Sequence, residues 1–413
     1  MGRKITRKAF CNGVAGTVIT QMLLGDGLAA DAAVQDSPSC LAENPEYLTT
    51  QILTYLGNKR ALLKFIGDGV ASVKRDLAKD RLTFFDAFSG SGIVSRFMKR
   101  HASHIIANDL ELYSQIVNRC YLTNRESIDW REFDVVFDEW VRHVSSHQEP
   151  GIIAKLYAPA DSANIKMGER AFYTRENAVM LDSARAAIDK VVPSKFVDLF
   201  MGPLLAETSI HANTSGVFKG FYKNRQGIGA FGGEGRNALT RICGKIELNK
   251  PVLSNFSCES TVLRGDANEV VKAIPEVDLA YFDPPYNQHP YGSNYFMLNL
   301  LAQNKEPTDI SKVSGIPEGW NHSKYNKEKD AEQTFFELLA NAPAKYLMIS
   351  YNSEGFIKYE RFMDFLNKIG SVHPVEIEYN TFRGSRNLRE RALKVTEYLF
   401  VVKRTGKGGG HVA

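Results

Sequence analysis

A short apolar segment that ends at an acid, two prolines and a tyrosine most constrains how this chain can fold. Leu279–Phe282 is apolar and rich in aromatic residues, which is typical of a strand buried on both faces of a parallel sheet. Asp283-Pro284-Pro285-Tyr286 follows directly, and its two prolines fix φ and remove two backbone donors. Because open α/β sheets bind ligands at the carboxyl ends of their strands, we expect Asp283 to lie in a binding site.

The same motif has the chemistry to hold an aromatic amine. The Asp283 carboxylate and the free Pro284 carbonyl can accept both hydrogens of an exocyclic amine. Tyr286 adds a flat face on which a heterocycle can stack. An ordinary Pro-Pro turn after a strand is the alternative interpretation of the tetrapeptide alone.

A second motif predicts a cofactor loop. The apolar run Leu82–Phe84 leads into Phe85-Asp86-Ala87-Phe88-Ser89-Gly90-Ser91-Gly92, and a helix-like stretch, Ile93–Lys99, follows. Gly90 and Gly92 allow a tight turn and a close approach of the backbone to a ligand. A glycine pair at this spacing is, by itself, more typical of a plain turn.

The next predicted strand supports the cofactor interpretation. His104–Ala107 ends in Asn108-Asp109. An acid at the tip of the second strand suits a ribose diol, which donates two hydroxyl groups. A surface aspartate is the alternative for Asp109, but the glycine loop before it favours the ligand role.

Together these motifs resemble the Dam-like, or D12 class, adenine-specific DNA methyltransferases, over roughly Tyr47 to Arg404. Four segments match in the family's order, namely Tyr55–Arg60, the glycine loop, Asp109 and the motif that begins at Asp283. The glycine loop and the Asp283 motif are common to many amine methyltransferases. The Tyr55–Arg60 segment before them points to this class.

The resemblance implies S-adenosylmethionine as the cofactor and assigns roles by position. The residues that it places at the cofactor are Tyr55, Lys59, Asp86, Phe88, Gly90, Gly92, Asp109 and Asp266. The residues that it places at the reacting amine are Asp283, Pro284 and Tyr286. Asp266 follows the predicted strand Thr261–Leu263 and falls where the family contacts adenine. Lys59 suits the carboxylate of the cofactor's methionine, with a solvent-exposed loop lysine as the alternative; for Phe88 the alternative is a core position.

The alternation of strands and helices favours a doubly wound α/β fold. The resemblance implies a mostly parallel seven-stranded methyltransferase (Rossmann-like) sheet, with a final antiparallel pair at Pro374–Tyr379 and Val395–Val402. Helices are predicted at Leu62–Leu77, Leu112–Tyr121, Val179–Val191 and Val197–Ile210. The expected divisions are a disordered or misassigned extension at 1–45, a catalytic domain at 46–122 and 251–404, an inserted and mainly helical DNA-recognition domain at 123–250, and a flexible tail at 405–413.

Two predicted loops concentrate basic residues. Residues 219–245 hold six basic side chains and one acid, and residues 383–394 hold five and one. Such runs are usually solvated surface, but beside an amine-methylating site we expect them to contact the phosphates of double-stranded DNA. The predicted DNA contacts are Lys219, Lys223, Arg225, Tyr295, Arg383 and Arg386, with packing on the next helix as the alternative for Tyr295. Base reading is expected at Asn213–Lys223 or, as a second candidate, at Trp320–Lys329.

The resemblance implies direct methyl transfer to the N6 amine of an adenine flipped out of the duplex. It also implies a modification enzyme whose cognate restriction endonuclease acts separately. Other amine substrates stay open, namely N4 of cytosine, RNA or a protein glutamine. A small-molecule methyltransferase, which would not need residues 123–250, and a non-catalytic DNA-binding module are further alternatives.

Composition adds few limits. The net charge of +4 is mild and does not by itself indicate nucleic-acid binding. The five cysteines are scattered and show no metal-ligand spacing, so we expect a reduced compartment and no metal. No apolar run is long enough to span a membrane. The basic-then-apolar start at Arg7–Phe10 resembles an export leader, but Asp26 interrupts it, and we expect a cytoplasmic, DNA-associated protein.

Overall fold

A computed structural model describes residues 42–380 and 394–405. These residues form one seven-stranded sheet, built from β1 Leu82–Asp86, β2 Ala102–Asp109, β3 Glu259–Arg264, β4 Val277–Phe282, β5 Ala344–Asn352, β6 Gly370–Asn380 and β7 Lys394–Arg404. The strands lie in the order β3-β2-β1-β4-β5-β7-β6. β1 to β5 pair in parallel, whereas β7 runs antiparallel to both β5 and β6. The predicted doubly wound, mostly parallel sheet with a final antiparallel pair is therefore confirmed.

Helices flank the sheet and make up about half of the chain between β2 and β3. The α-helices are α1 Pro45–Thr49, α2 Leu63–Asp76, α3 Ile93–Met98, α4 Leu112–Leu122, α5 Trp130–Ser146, α6 Ile152–Leu156, α7 Arg175–Val191, α8 Val197–Ile210, α9 Leu239–Ile242, α10 Ala267–Val270, α11 Tyr291–Asn294, α12 Phe296–Gln303, α13 Glu328–Asn341 and α14 Tyr359–Ile369. Short 3₁₀ helices lie at Lys59–Leu62, Arg125–Ser127, Ser194–Phe196 and Lys324–Asn326. Helix α7 begins earlier than predicted because Thr174 caps it by accepting a hydrogen bond from the Asn177 N–H at 3.2 Å.

Successive strand residues face two different apolar layers. Phe85 and Phe282 pack toward α13, where the Phe335 ring lies 6.4 Å from that of Phe282. Their neighbours Phe84 and Tyr281 belong to a second layer with α2 and α3 on the opposite face. Because side chains alternate across a strand, burial on both faces produces the continuous apolar runs of the sequence.

Helices α5, α7 and α8 form a third apolar layer with α4 and α12. Trp140 of α5 is buried, and its ring centroid lies 5.0 Å from that of Phe200 in α8. Its Nε1 donates a hydrogen bond to the Ala184 carbonyl of α7 at 2.9 Å. Val117 of α4 and Leu298 of α12 belong to the same cluster. The helices between α4 and β3 therefore share a core with helices that flank the sheet.

The strand order opens a crevice between β1 and β4. From β1 the chain winds outward through β2 and β3, and from β4 it winds in the other direction to β5. At such a reversal the loops that leave neighbouring strands diverge, which leaves room for a ligand. Asp86 ends β1 and Asp283 follows β4, so both acids lie at the crevice.

Candidate active site

A cleft of about 940 Å³, with its open mouth included, lies at this crevice. The predicted site residues that line it are Tyr55, Lys59, Asp86, Phe88, Gly90, Asp109, Asp266 and Asp283. Gly92, Pro284 and Tyr286 adjoin these residues in the chain without lining the cleft themselves. The fold thus brings the separate motifs of the sequence to one place, while the role of each residue stays a prediction.

The glycine loop is closed by Asp109. Its Oδ2 accepts a hydrogen bond from the Gly90 N–H at 2.8 Å, and its Oδ1 accepts one from the Glu111 N–H at 2.9 Å. Gly90 has a φ of 51°, and a Cβ at this position would lie 2.9 Å from the Tyr55 ring. Gly92 has a φ of 75° at the start of α3. Both positions therefore favour glycine for backbone reasons, whether or not a ligand is bound.

Glu111 is an acid of the cleft that our sequence analysis missed. Its side chain is buried, and Oε2 accepts hydrogen bonds from Nδ2 of Asn299 at 2.5 Å and of Asn321 at 3.0 Å. Burial and the neighbouring Asp109 raise the pKa of Glu111 to about 7. The available signal was a second acid two positions after the acid that ends β2. Because backbone donors already bind both oxygens of Asp109, Glu111 offers a further acceptor at this end of the cleft.

Asp86 presents a buried oxygen without a protein partner. Its Oδ2 accepts a hydrogen bond from Ser95 Oγ at 2.7 Å, while Oδ1 has no partner among the residues that the structure describes. Burial raises the pKa of Asp86 to about 7. An unpaired buried carboxylate oxygen is costly, so a ligand that donates a hydrogen bond here would be stabilised.

Lys59 lies between two carboxylates at the other end of the cleft. Its Nζ lies 3.0 Å from Oδ1 of Asp283 and 2.8 Å from Oε1 of Glu397. The side chains of Lys59 and Glu397 are 5% and 1% exposed, and that of Asp283 is 19% exposed. This ion cluster favours a pairing role for Lys59 with protein carboxylates over the predicted contact with the cofactor's carboxylate.

The two carboxylates of the ion cluster differ in their protonation. Burial, opposed by Lys59 and aided by the Glu397 charge, raises the pKa of Asp283 to about 7. Burial also acts to raise the pKa of Glu397, but Lys59 and hydrogen bonds from Ser350 and Asn352 bring it below its usual range. Burial opposes the charge of Lys59, yet the two carboxylates hold its pKa well above its ordinary value. Asp283 is therefore the member of the cluster that titrates near neutral pH.

Tyr295 is in the core, which favours the packing alternative over DNA contact. Its side chain is fully buried, and its ring stacks on that of Tyr55 with a centroid distance of 4.7 Å. Its hydroxyl accepts a hydrogen bond from the Leu56 N–H at 2.7 Å. Tyr291 also stacks on Tyr55, with a centroid distance of 5.0 Å, and its hydroxyl donates to the Leu56 carbonyl at 3.1 Å. The segment after the Asp283 motif thereby holds the Tyr55–Arg60 loop in place.

Tyr286 directly follows Pro285, which lines the cleft. Its ring lies 6.1 Å from that of Tyr351 in an edge-to-face arrangement, and its carbonyl accepts a hydrogen bond from the Phe356 N–H at 3.1 Å. The side chain is only partly buried. The backbone of the motif is thus anchored to the loop after β5, while part of the Tyr286 ring stays accessible.

A basic hairpin at residues 222–230 carries two of the predicted DNA contacts. Lys223 pairs with Gly229 across it, and Arg225 lies toward its tip. The Lys223 ammonium lies 5.0 Å from the centre of the Phe221 ring, and the Arg225 side chain is 84% exposed. These cations are open to solvent and available to a polyanion. Lys219 is also exposed, just before the hairpin.

The candidate base-reading segments differ in what they can contact. Asn213 is fully buried: its Nδ2 donates to the Ala171 carbonyl at 2.8 Å and its Oδ1 accepts from the Gly232 N–H at 2.9 Å. It therefore supports the hairpin and has no amide group left to read a base. The second segment contributes Asn321 and Tyr325 to the cleft lining.

Several predicted residues and segments lie in parts of the chain that the structure does not describe. Arg383 and Arg386, residues 1–41 and residues 406–413 lie outside the described residues. Within the described ranges, no group of three or more His, Cys, Asp or Glu side chains could hold a metal ion. None of the helices found in residues 42–380 and 394–405 is long and apolar enough to cross a membrane.

A family model matches residues 55–150 and 217–327, together half of the chain. The model describes D12 class N6 adenine-specific DNA methyltransferases. The match covers the Tyr55–Arg60 segment, the glycine loop, Asp109, the basic hairpin and the Asp283 motif.

Curated relatives are similar over most of the chain. Type II methyltransferase M.NlaIII from Neisseria lactamica is 28% identical over 361 residues, which cover 86% of this chain and 100% of the relative. Type II methyltransferase M.CviAII from Paramecium bursaria Chlorella virus 1 is 26% identical, with 84% and 97% covered. Type II methyltransferase M.FokI from Planomicrobium okeanokoites is 23% identical over 85% of this chain, which spans about half of that longer relative, 53%. A solved structure described as a class I S-adenosylmethionine-dependent methyltransferase, from Listeria monocytogenes, is 9% identical with a TM-score of 0.31 and covers 85% of this chain and 62% of the other.

Proposed function

The chain belongs to the D12 class of N6 adenine-specific DNA methyltransferases, and we propose that the cleft around Asp283 is where it methylates an adenine extruded from duplex DNA. The observation that carries this proposal is the meeting of the Asp283 motif, the glycine loop and Asp109 in one cleft. These parts lie far apart in the chain, and each has the chemistry that a different part of the reaction needs.

S-adenosylmethionine, when bound, supplies a methyl group on a positively charged sulfur, and an amine can take this group while sulfur keeps the bonding electrons. The residues of the cleft fit this cofactor. The unpartnered buried oxygen of Asp86 suits its ammonium group, and Asp109 and Glu111 offer acceptors for the ribose hydroxyls. Phe88 and Tyr325, whose rings lie 5.1 Å apart, provide an apolar wall for the adenine ring.

Asp283 and Pro284 prepare the target amine. The N6 amine of adenine is a poor nucleophile because its lone pair is delocalised into the ring. Hydrogen bonds from its two hydrogens to the Asp283 carboxylate and the Pro284 carbonyl draw the nitrogen toward a tetrahedral form. After transfer the nitrogen is positively charged, and one of its protons passes to Asp283, whose pKa of about 7 suits a proton acceptor. Tyr286 stacks on the base.

The depth of Asp283 requires the base to leave the helix. Its side chain lines the cleft and is only 19% exposed. A base stacked inside a duplex cannot reach a recessed carboxylate, so the target adenine rotates out of the stack. The exposed cations Lys223 and Arg225 then contact the phosphates that flank the extruded base.

The position of the hairpin couples DNA contact to the catalytic motif. The Phe218 N–H, just before the hairpin, donates a hydrogen bond to the Asn294 carbonyl at 2.7 Å. Asn294 belongs to α11, the first helix after the Asp283 motif. A backbone hydrogen bond thus joins the segment before the DNA-contacting hairpin to the helix after the catalytic motif. We expect this bond to help keep their relative positions constant when DNA binds.

Methyl transfer from radiolabelled S-adenosylmethionine to unmethylated plasmid DNA tests this function. The wild-type enzyme labels DNA, and Asp283→Ala does not. Long-read sequencing of the product locates N6-methyladenine at one short sequence motif. Label at N4 of cytosine, in RNA or in protein, or a complete lack of label while the cofactor still binds, would overturn the proposal.

The biological role that we propose is DNA modification in a restriction-modification system. Support comes from the similar chains, which are named type II methyltransferases. The cognate endonuclease is then a separate protein that cuts the same motif. DNA methylated by this enzyme should resist an endonuclease of that specificity, and DNA incubated with Asp283→Ala should be cut.

A further inference from the structure

We infer that Glu397 is a positioning residue of the methyl-transfer site: it holds Lys59 beside Asp283 and offsets part of its charge, so that Asp283 stays available to the amine. This inference rests on the proposed function. Glu397 is not among the residues that line the cleft, and it binds the Nζ of Lys59 at 2.8 Å. Its part in the reaction is therefore indirect.

Glu397 is held rigidly by the neighbouring strand. Its Oε1 accepts a hydrogen bond from Ser350 Oγ at 2.5 Å, and its Oε2 accepts one from Asn352 Nδ2 at 3.3 Å. Both donors lie at the end of β5, and Asn352 is directly opposite Glu397 in the β5–β7 ladder. A carboxylate fixed at both oxygens by a strand is a firm anchor for a long lysine side chain.

The place of Glu397 in the sequence is unusual for an acid. It shares the inward face of β7 with Val395, Leu399 and Val401, which are all buried. A glutamate in such a row is costly unless it is paired, and here it is 1% exposed. Packing alone would be served better by an apolar residue, so the acid has a reason beyond filling space.

The charge balance of the ion cluster explains what Glu397 contributes. With Asp283 as its only partner, Lys59 would bind that carboxylate as a tight one-to-one ion pair. The ammonium would then compete with the adenine amine for the Asp283 oxygens. With Glu397 present, the ammonium is shared between two carboxylates. Lys59 then holds Asp283 less tightly, and Asp283 stays the stronger acceptor for the amine hydrogen and, after transfer, for the proton.

Other titratable groups also act on Asp283, and none of them replaces this balance. Besides Lys59 and Glu397, the groups found among the described residues are Asp86, Tyr281, Tyr286 and Tyr291. The tyrosines are neutral at the pH of the reaction because burial raises each pKa. Asp86 is held by Ser95 rather than by Lys59. Among these groups, removal of Glu397 therefore most changes how Lys59, the ion-pair partner of Asp283, is shared.

The test compares the wild-type enzyme with Glu397→Gln, which keeps the shape and removes the charge. We expect kcat at saturating DNA and cofactor to fall about 10- to 100-fold, as for other misplaced catalytic groups. The acid limb of the kcat profile should move to lower pH by about one pH unit, because Asp283 loses a nearby negative charge. Glu376→Gln, on the exposed face of β6, is the matched control and should change neither quantity.

A double-mutant cycle with Lys59→Gln separates positioning from general stability. If Glu397 acts through Lys59, adding Glu397→Gln to Lys59→Gln lowers kcat by less than about twofold. Additive losses, or an acid limb that does not move in Glu397→Gln, would overturn the inference. Thermal unfolding of each variant verifies that it is folded.

A direct titration keeps this test independent of the proposed function. Carbon-13 NMR of carboxyl-labelled aspartate, with the Asp283 signal assigned by Asp283→Asn, gives the pKa of Asp283 without any substrate. A lower pKa in Glu397→Gln supports the inference even if the wild-type enzyme labels no DNA, and an unchanged pKa contradicts it. Failure of the proposed function would show instead as missing N6-methyladenine with the wild-type enzyme.

Discussion

Charges are buried and paired in the cleft but exposed on the basic hairpin. In the ion cluster beside the cleft, Lys59 and Glu397 are almost completely buried and lie within 3 Å of each other. On the hairpin, the Arg225 side chain is 84% exposed, and its Nε lies 3.5 Å from Glu234, which is itself 50% exposed. Salt screens exposed charges over about 8 Å at physiological strength but acts little on buried pairs. The molecule therefore separates a buried charge arrangement, which the proposed function uses for chemistry, from an exposed one, which it uses for holding DNA.

Removing the carboxylate of Asp283 should produce the largest effect. Asp283→Asn keeps the size of the side chain but loses the negative charge that holds the amine and takes its proton. We expect kcat to fall about 1,000-fold while the affinity for DNA changes less than about twofold. Single-turnover methyl transfer and a fluorescence binding assay measure the two quantities. A similar loss of kcat and of DNA affinity would show that the cleft and the hairpin do not act separately in chemistry and in DNA binding.

Acid should switch off the cleft before it affects the hairpin. Burial raises the pKa of Asp283 to about 7, and the carboxylate is the active form, so activity is lost as pH falls through this value. At saturating cofactor and DNA, kcat should fall about tenfold for each pH unit below 7. Arginine and lysine stay charged in this range, so DNA affinity should not fall. A kcat that is flat down to pH 5 would contradict the assigned state of Asp283.

Removing the hairpin cations should weaken DNA binding without slowing the chemistry. For Lys223→Ala combined with Arg225→Ala, we expect a loss of about tenfold in DNA affinity and a slope of log K against log salt that is smaller by about 2. The kcat at saturating DNA should be unchanged. The control is Arg131→Ala with Lys190→Ala, two exposed cations on helices α5 and α7. An equal effect of the control pair would mean that the hairpin has no special part in binding.

The smallest expected effect comes from comparing a glycine of the cofactor loop, Gly92, with a glycine of the hairpin, Gly227. Gly92 and Gly227 both have a left-handed φ, of 75° and 80°. A Cβ at Gly92 would lie 2.8 Å from Asn118 Oδ1, whereas one at Gly227 meets nothing within 4 Å. We expect Gly227→Ala to lower the free energy of unfolding by about 1 kcal/mol and Gly92→Ala by about 1 kcal/mol more. Urea denaturation measures both, and equal values would mean that the loop before α3 adjusts freely.

Features that depend on neighbouring residues in the chain could be predicted from the sequence. The acid at the end of β2 and the motif after β4 are local patterns of strand and turn, and both lie at one edge of the sheet. The reason is that parallel strands share a carboxyl edge, so residues that follow different strands meet without further information. The helix α4 could be predicted for a similar reason, since apolar residues recur along it at helical spacing.

Features that depend on strand register and loop course could not be predicted in this way. Glu397 meets Lys59 only because β7 enters the sheet next to β5, and nothing near residue 59 indicates this partner. A charged residue in the buried row of a predicted strand was the only local sign. Tyr295 was assigned to DNA because an aromatic residue after the catalytic motif could serve either purpose, and its burial distinguishes the two. The contact of Asn321 with Glu111 joins segments 210 residues apart.

Because of the direction of β7, the ion cluster can be completed only late in the synthesis of the chain. Because β7 runs against β5, the start of β7, not its end, reaches the carboxyl edge where Lys59 and Asp283 lie. The ion cluster therefore joins residue 59 to residue 397, which is synthesised much later. In a nascent chain in which only β1 to β5 have paired, Lys59 would have Asp283 but not Glu397 as a partner. On this account, methyl transfer reaches its full rate only after synthesis has passed β7 and that strand has inserted between its neighbours.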